Sequence, residues 1–323
     1  MMAFVNELGV ARSRRLVKAA CSAQRVFFSV PEMDRSFDGN SPAEGKEVYV
    51  PVVDGNLNLI KTGAGATQRR MPVMLDRGQV ERFNGISKLE IAKLGDLDGT
   101  RYFAVDLPDR ELFGSVLDGA EAVSRIPLIV QDMDEKQVAV LSYARGLMWF
   151  HRNTRFCTAC GSTMNSVNEG RSRACEGCEK TVYPRIDPAV ITLVANGNEC
   201  LLGRKASWPR GRYSLLAGFT EVGETLEDTV YREVKEESGV DIDRNSVKYH
   251  SSQPWPFPRS LMIGFSVNAL STKIKRDENE LEDVRWFDKE FIRARLRTGG
   301  NEEFNIPPKY ALANRMISEW IAE

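Results

Sequence analysis

Long hydrophobic runs are missing from this 323-residue chain. No stretch approaches the roughly 18–20 apolar residues a helix needs to cross a bilayer, so no membrane partner is expected. Charge of one sign is missing too. Lys and Arg total 44 against 45 for Asp and Glu, a net charge of -1. The chain as a whole therefore has no general attraction to nucleic acid or to a lipid surface, and any polyanion site must be local. No period of 30–45 residues recurs, so a repeat array is not supported. Cysteine is scarce and uneven: Cys21 and Cys200 stand alone, and the other four fall between positions 157 and 178. This is not the pattern of a secreted disulfide scaffold. It suits an intracellular, reducing compartment, whether cytoplasm or an organelle (mitochondrion, plastid or peroxisome). The remaining composition is that of an ordinary globular protein, long enough for two domains and a small insert.

Residues 1–45 read as an N-terminal extension. Arg12, Arg14, Arg15, Lys18 and Arg25 face the single acid Glu7 in the first thirty residues, which suits an amphipathic targeting segment or a basic first element of the fold. The C-terminus is not of the Ser-Lys-Leu type. Residues 31–45 are rich in turn formers and charge and read as a linker. From 46 to 152 the pattern is that of an α+β domain. Apolar or alternating runs at 48–53, 101–107 and 127–130 are bounded by Gly, Asp or Pro and predict strands. Asp54-Gly55 suits a hairpin turn. A helix is expected over 137–152, with Val138, Leu141, Ala144, Met148 and Trp149 toward a core. Nothing in 46–130 has the spacing of a catalytic site.

Cys157-x₂-Cys160 and Cys175-x₂-Cys178 lie 14 residues apart within residues 153–182. Two such knuckles can complete a closed tetrahedral Zn²⁺ site, structural because no position is left open for water. Two disulfides or a redox pair account less well for both knuckles. His151 nearby reads as a packed or surface residue.

The glutamates from 218 to 240 carry the chemistry. Glu233, Glu236 and Glu237 stand at i, i+3 and i+4, on one face of a helix. Leu226, Val230 and Val234 supply its buried stripe, Thr225 with Asp228 its capping box and Gly239 its C-terminal cap. Two such carboxylates about 4 Å apart repel by ~4 kcal/mol at an effective dielectric of about 20. Lys235 points off the cluster. A divalent cation removes the conflict, and oxygen ligands suit Mg²⁺ or Mn²⁺.

Gly218, Glu224 and the run Arg232-Glu233-Val234-Lys235-Glu236-Glu237-Ser238-Gly239-Val240 resemble an intact Nudix box. The resemblance implies an α/β/α sandwich over 183–323 that hydrolyses a nucleoside diphosphate linked to another group. It implies Glu233, Glu236 and Glu237 as catalytic and metal-binding residues, with the Ala217 carbonyl as a further ligand and Glu236 or Glu237 as base. Glu224 and Arg232 read as a bracing ion pair. The segment Gln253-Pro254-Trp255-Pro256-Phe257-Pro258-Arg259-Ser260 should be rigid and extended, and cannot be a central strand because its prolines lack donors.

Four-cysteine ribbon, Nudix box and this Pro-aromatic segment, in that order, resemble the NADH pyrophosphatases among Nudix hydrolases. The likeness extends to the LGDLDGTRYFAVDL run at 94–107 in an N-terminal domain of Nudix-like α+β build. It implies cleavage of NADH or NAD⁺ to a nicotinamide mononucleotide and AMP, with Mg²⁺ or Mn²⁺ catalytic and Zn²⁺ structural. Implied substrate contacts are Tyr183, Phe219, the whole 253–260 segment and Ala313, with Glu280 as an added metal ligand. Arg259 leaves NADH against NADPH open. NAD-capped RNA is an alternative substrate, and a homodimer is the implied assembly.

Overall fold

The computed structural model describes residues 33–34, 45–55, 57–62, 70–84, 89–107, 119–123, 133–297 and 303–323. The basic segment 1–30, nearly all of the linker and the strand expected at 127–130 lie outside these residues.

The first sheet comprises β1 (Lys46–Val53), β2 (Leu57–Thr62), β3 (Arg70–Pro72), β4 (Glu90–Leu97), β5 (Thr100–Leu107) and β6 (Ala120–Val123), with helix α1 (Arg77–Asn84) between β3 and β4. Its order is β3-β2-β1-β5-β4, and β6 pairs with β2. The turn expected at Asp54-Gly55 is present: φ is 53° and 65° at the two residues, and β2 returns antiparallel to β1. Positive φ at successive residues is tolerated by Asp and Gly, which explains their presence there. β1 pairs in parallel with β5 along its whole length.

Helix α2 (Glu135–Asn153) begins two residues before the expected start, because Asp134 and Gln137 form a reciprocal capping box. Val138, Leu141, Ala144 and Met148 are buried as expected. Trp149 differs: it is only half-buried, and the Arg259 guanidinium lies 4.8 Å from its ring centre. The indole therefore sits at a boundary between elements and not inside the core. Three short strands follow, β7 (Met164–Val167), β8 (Ser172–Cys175) and β9 (Thr181–Val182), forming a small antiparallel sheet. His151 packs against it as a buried residue; its Nε2 lies 2.7 Å from the Gly170 carbonyl oxygen, to which it can only donate.

The third sheet comprises β10 (Asp187–Asn196), β11 (Glu199–Arg204), β12 (Leu216–Phe219), β13 (Lys248–Trp255), β14 (Ser260–Asn268) and β15 (Asp283–Asp288). Its order is β13-β14-β10-β11-β15, with β12 pairing β10. The central strand β10 runs antiparallel to β11 and parallel to β14, as β1 does to β2 and β5. The five-strand path of the first sheet thus repeats the order and sense of the third, while the sixth strand differs: β6 pairs β2, whereas β12 pairs the central strand β10.

Side chains alternate across β10 and so define two packed layers. Val190 and Val194 face Val230 and Val234 of helix α3 (Leu226–Ser238). Ile191 and Leu193 face Met316 and Ile317 of helix α5 (Leu312–Ala322), beside α4 (Lys289–Arg297). This is the expected α/β/α sandwich. Each fully buried valine contributes about 1.5–3 kcal/mol, which pins α3 over the sheet.

The two larger sheets meet across helix α2. Core residues of α2, among them Leu141 and Met148, cluster with Tyr310 and Ala311, and Trp255 and Phe257 pack on the same cluster. The approach is close at Gly146, where a Cβ would come within 3.1 Å of Pro256 Cβ.

Candidate active site

Helix α3 is held at both ends as the sequence predicts. Asp228 N–H donates to Thr225 Oγ1 at 3.1 Å and Thr225 N–H returns to Asp228 Oδ2 at 3.4 Å, while Gly239 caps the other end with φ 73°. Lys235 turns away, to Asp241 at 2.7 Å and the Gly239 carbonyl at 3.1 Å.

Arg232 is the hub of the box. Its Nε and Nη2 grip Glu224 at 2.5 and 2.9 Å, and Nη2 also donates to the Phe219 carbonyl at 2.8 Å. This two-pronged pairing drives the Glu224 carboxyl down to about 2. The expected brace is there, but the same guanidinium also reaches two expected metal ligands. Nη1 lies 2.9 Å from Glu233 Oε1 and 2.9 Å from Glu236 Oε2. Like-charged carboxylates gain by sharing one cation, so these two converge on arginine. Among the described residues only the four cysteines bring three or more ligating atoms within 4.8 Å of one another.

Glu237 is different. It is 2% exposed and accepts one hydrogen bond, from the Ala217 N–H at 3.2 Å. Burial above all, then the charge of Glu233, pushes its carboxyl up to about 8. Burial also raises Glu233, which is 8% exposed, and Glu280 adds to the rise at both. Glu280 itself follows the turn at Asp277. Gly218 is required by this packing: a Cβ there would lie 1.9 Å from Glu233 Cδ. Strongly buried carboxylates beside a backbone strand, with oxygen donors only, fit a hard divalent cation.

The site opens into a cavity of 540 Å³ between the third sheet, the loop after β11 and the start of α5. Ala217, Glu237, Gln253, Trp255, Phe257 and Ala313, all expected as site residues, line it. Gln253 is not free to bind a nucleotide, as its 2% exposure indicates. Its Nε2 donates to the Tyr310 carbonyl at 2.8 Å and its Oε1 accepts the Leu312 N–H at 2.8 Å. It caps α5, whose own N-cap residue, Ala311, offers no side-chain bond.

The 253–260 segment is not extended throughout. Residues to Trp255 form edge strand β13, which agrees with the exclusion from a central position, and 256–259 turn back into β14. The pleat then divides the segment. Trp255 and Phe257 face the main cavity, while Pro254, Pro256 and Pro258, with Arg259 and Ser260, line a separate 380 Å³ groove against α2. Arg259 is committed there, its Nε donating to Asp187 Oδ2 at 2.7 Å. Tyr183 and Phe219, expected to hold bases, are 66% and 57% exposed and do not line the cavity. Sequence reasoning missed Lys205, Trp208, Arg212 and Tyr310, which do line it. For the first three the signal was present as a basic, aromatic run from 205 to 213, four residues before the box; Tyr310 carried no such signal.

In the ribbon the paired sulfurs lie 3.6 Å (Cys157–Cys178) and 3.3 Å (Cys160–Cys175) apart. Tetrahedral zinc with bonds of about 2.3 Å sets such separations at ~3.8 Å. Backbone N–H groups of Ala159 and Gly177 point at the Cys157 and Cys175 sulfurs, at 3.4 and 3.3 Å, as knuckles require. None of the four is in a disulfide. The cluster fits Zn²⁺.

A sheet flanked by helices on both faces, with an acid-bearing helix over its central strand, defines a Nudix hydrolase fold, and the NUDIX domain family matches residues 185–305. Human NAD-capped RNA hydrolase NUDT12 is 43% identical over 206 residues, covering 61% of this chain and 44% of that protein. Human mitochondrial NAD(P)H pyrophosphatase NUDT13 is 34% identical over 224 residues, 66% of this chain and 61% of that one. NAD-capped RNA hydrolase NudC of Pseudomonas fluorescens strain Pf0-1 is 39% identical over 196 residues, 60% of this chain and 68% of that one. The chain belongs to the Nudix hydrolase family, in its NADH pyrophosphatase subfamily. Its matches span less than half of NUDT12 and about three-fifths of NUDT13.

Proposed function

We propose that this protein hydrolyses the diphosphate of NADH, giving NMNH and AMP. The observation that carries the reading is the meeting of Glu237 and Ala217 with Trp255 and Phe257 on one cavity, which joins a cation-binding wall to aromatic faces. Planar bases pack well on such faces. Mg²⁺ or Mn²⁺ held by Glu233, Glu236, Glu237 and the Ala217 carbonyl, with Glu280 beside them, would neutralise the diphosphate and acidify a water. The chain's own groups do the rest. Glu237, on the cavity wall with no arginine contact, is better placed than Glu236 to hold and take the water's proton. Arg232 holds the end of β12, at Phe219, against α3. Trp255 and Phe257 orient the base, and the apolar walls exclude water around the diphosphate.

Turnover of NADH, NAD⁺, ADP-ribose and diadenosine polyphosphates with Mg²⁺ or Mn²⁺, products resolved by chromatography, tests this. Far better cleavage of ADP-ribose than of every dinucleotide would refute the substrate assignment. A second reading is favoured by the names of two relatives: removal of an NAD cap from RNA, leaving a 5′-monophosphate. Faster turnover of a capped oligonucleotide than of NADH, with steep salt dependence, would select it. We further infer a homodimer, because the exposed Tyr183 and Phe219 would gain a substrate-binding role only if a second copy or a closing segment covered them. Sedimentation at micromolar protein tests that. A division at about residues 46–152, 153–182 and 183–323 accords with the three sheets, and Zn²⁺ serves the middle part structurally. Among the described residues no helix is long and apolar enough to cross a membrane.

A further inference from the structure

The connection from β11 to β12 begins as a hairpin that carries two half-buried cations, Lys205 and Arg212. Gly203 and Ser214 exchange both backbone hydrogen bonds, at 2.9 Å each, and so fix the register of its two arms. Lys205 lies two residues beyond Gly203, and Arg212 two residues before Ser214. Side chains two apart share a face, so the two cations stand opposite each other on the face of that pair. The cavity lining has the same alternation: Gly203, Lys205, Arg212 and Ser214 all line it, while Arg204 and Tyr213 do not. Two successive turns hold the cations in place through the backbone. Trp208 N–H donates to the Lys205 carbonyl at 3.0 Å, and Arg212 N–H to the Pro209 carbonyl at 3.1 Å.

Neither charge is cancelled within the described residues. Lys205 Nζ has no hydrogen-bond or ion-pair partner there, and Arg212 Nε makes one long hydrogen bond, 3.5 Å to Asn305 Oδ1. Arg204, next in the chain to Lys205, is by contrast paired with Glu282. Two facing cations in a mainly apolar cavity repel and are poorly solvated, and one anion between them relieves both costs. Resting on the reading above, we propose that Lys205 and Arg212 form a two-armed clamp on the substrate's diphosphate, one cation from each arm of the hairpin, and that the clamp captures it even before a divalent cation binds. The same cavity carries Glu237 and Ala217, so a diphosphate held by the hairpin lies where the reaction needs it. Burial dominates the raised pKa of Glu237, and the Lys205 charge works against it, as a neighbour of that carboxylate would. The arms differ in kind. The arginine offers a planar fork that matches phosphate oxygens two at a time, and the lysine a mobile point charge. Without a metal the carboxylates repel a diphosphate, and the clamp supplies the opposing attraction.

The test is calorimetric titration of ADP-ribose and of adenosine into the whole protein, zinc retained, in buffer without Mg²⁺ or Mn²⁺. Wild type is compared with Lys205→Gln, Arg212→Gln, Lys205→Arg and Arg212→Lys. Wild type is expected to bind ADP-ribose about tenfold or more tighter than adenosine, as charge-assisted phosphate contacts imply. Each glutamine variant should weaken ADP-ribose by about tenfold or more and leave adenosine unchanged. Lys205→Arg and Arg212→Lys should each recover part of the loss. Equal binding of the two ligands by wild type overturns the proposal. So does an equal loss for both ligands in the glutamine variants, which would mean that the side chains only shape the cavity. A loss confined to one of the two positions overturns the two-armed clamp as well. With Mg²⁺ present, kcat/KM for NADH should fall in the same order of variants. Absence of NADH hydrolysis by wild type would sink the proposed activity while leaving the binding results intact. Normal hydrolysis by wild type with unselective binding would sink the clamp alone.

Discussion

Replacing Glu237 by Gln should make the protein more stable and inactive at once. The carboxyl is 2% exposed, has one backbone donor and titrates near 8 in the folded chain against 4.5 when free. Its folded value is raised, so between these two values the folded state holds more protons than the unfolded state. Stability therefore falls as pH rises from about 4.5 through about 8. At about 1.36 kcal/mol per pKa unit, the loss is on the order of 3 kcal/mol at pH 7 and 4–5 kcal/mol above pH 8. Glutamine keeps the acceptor for the Ala217 N–H and carries no charge. In buffer without Mg²⁺ or Mn²⁺, structural zinc retained, Glu237→Gln should melt on the order of 5–10 °C above wild type at pH 7 to 8. The gap should close below pH 5. Adding Mg²⁺ should stabilise the wild type by about 2.7 kcal/mol at a hundredfold excess over Kd, raising its melting temperature, and raise the variant's far less. NADH turnover by the variant should drop by about 10³ or more, as expected for losing a group that touches the reacting water. Thermal melts from pH 4.5 to 9 with and without Mg²⁺, beside a chromatographic rate assay, read all of this. A variant no more stable than wild type at pH 8, or one with near-normal turnover, would refute the reasoning.

Gly218→Ala should lose activity by about 10²-fold or more, because the added Cβ lands on the Glu233 carboxylate and displaces it; a misplacement of about 1 Å can cost that much. A crystal structure with Glu233 unmoved would contradict this. Gln253→Ala should destabilise by about 2–4 kcal/mol, since it strands the buried Leu312 N–H and the Tyr310 carbonyl together, and chemical denaturation measures it. Its KM for NADH should rise as the start of α5 loosens. Cys160→Ser should leave the chain with less than one zinc by metal analysis and a lower melting temperature, because a structural zinc site contributes its binding energy to folding. Full zinc occupancy in that variant would refute the four-cysteine assignment.

The local features of α3 were legible in the sequence down to single residues. Its capping box, its αL glycine and its buried valines are each set by interactions within about four positions, so spacing alone reports them. The zinc knuckles are legible for the same reason. The 253–260 segment shows where that logic stops. Its prolines correctly exclude a central strand, but which side chains face the substrate depends on the turn at 256–259 and on the pleat of β13 against β14. Only pairing with a distant strand decides that, and it sends Trp255 and Phe257 to one cavity and three prolines to another.

Gln253 and Arg259 make the same point through their partners. Nothing within ten residues of either reveals Leu312 or Asp187, so both read as ligand contacts until the fold brings those partners within 2.8 Å. Arg212 is the converse case: an ordinary loop arginine by spacing, it is distinguished only by the cavity around it and the carboxylates held elsewhere. The sequence by itself determined the family, the acid-bearing helix and the four-cysteine cluster, because those rest on short-range geometry and donor type. Tertiary structure alone decided which polar groups are already satisfied and which remain to meet a substrate, because hydrogen-bond satisfaction and desolvation depend on neighbours far away in the chain.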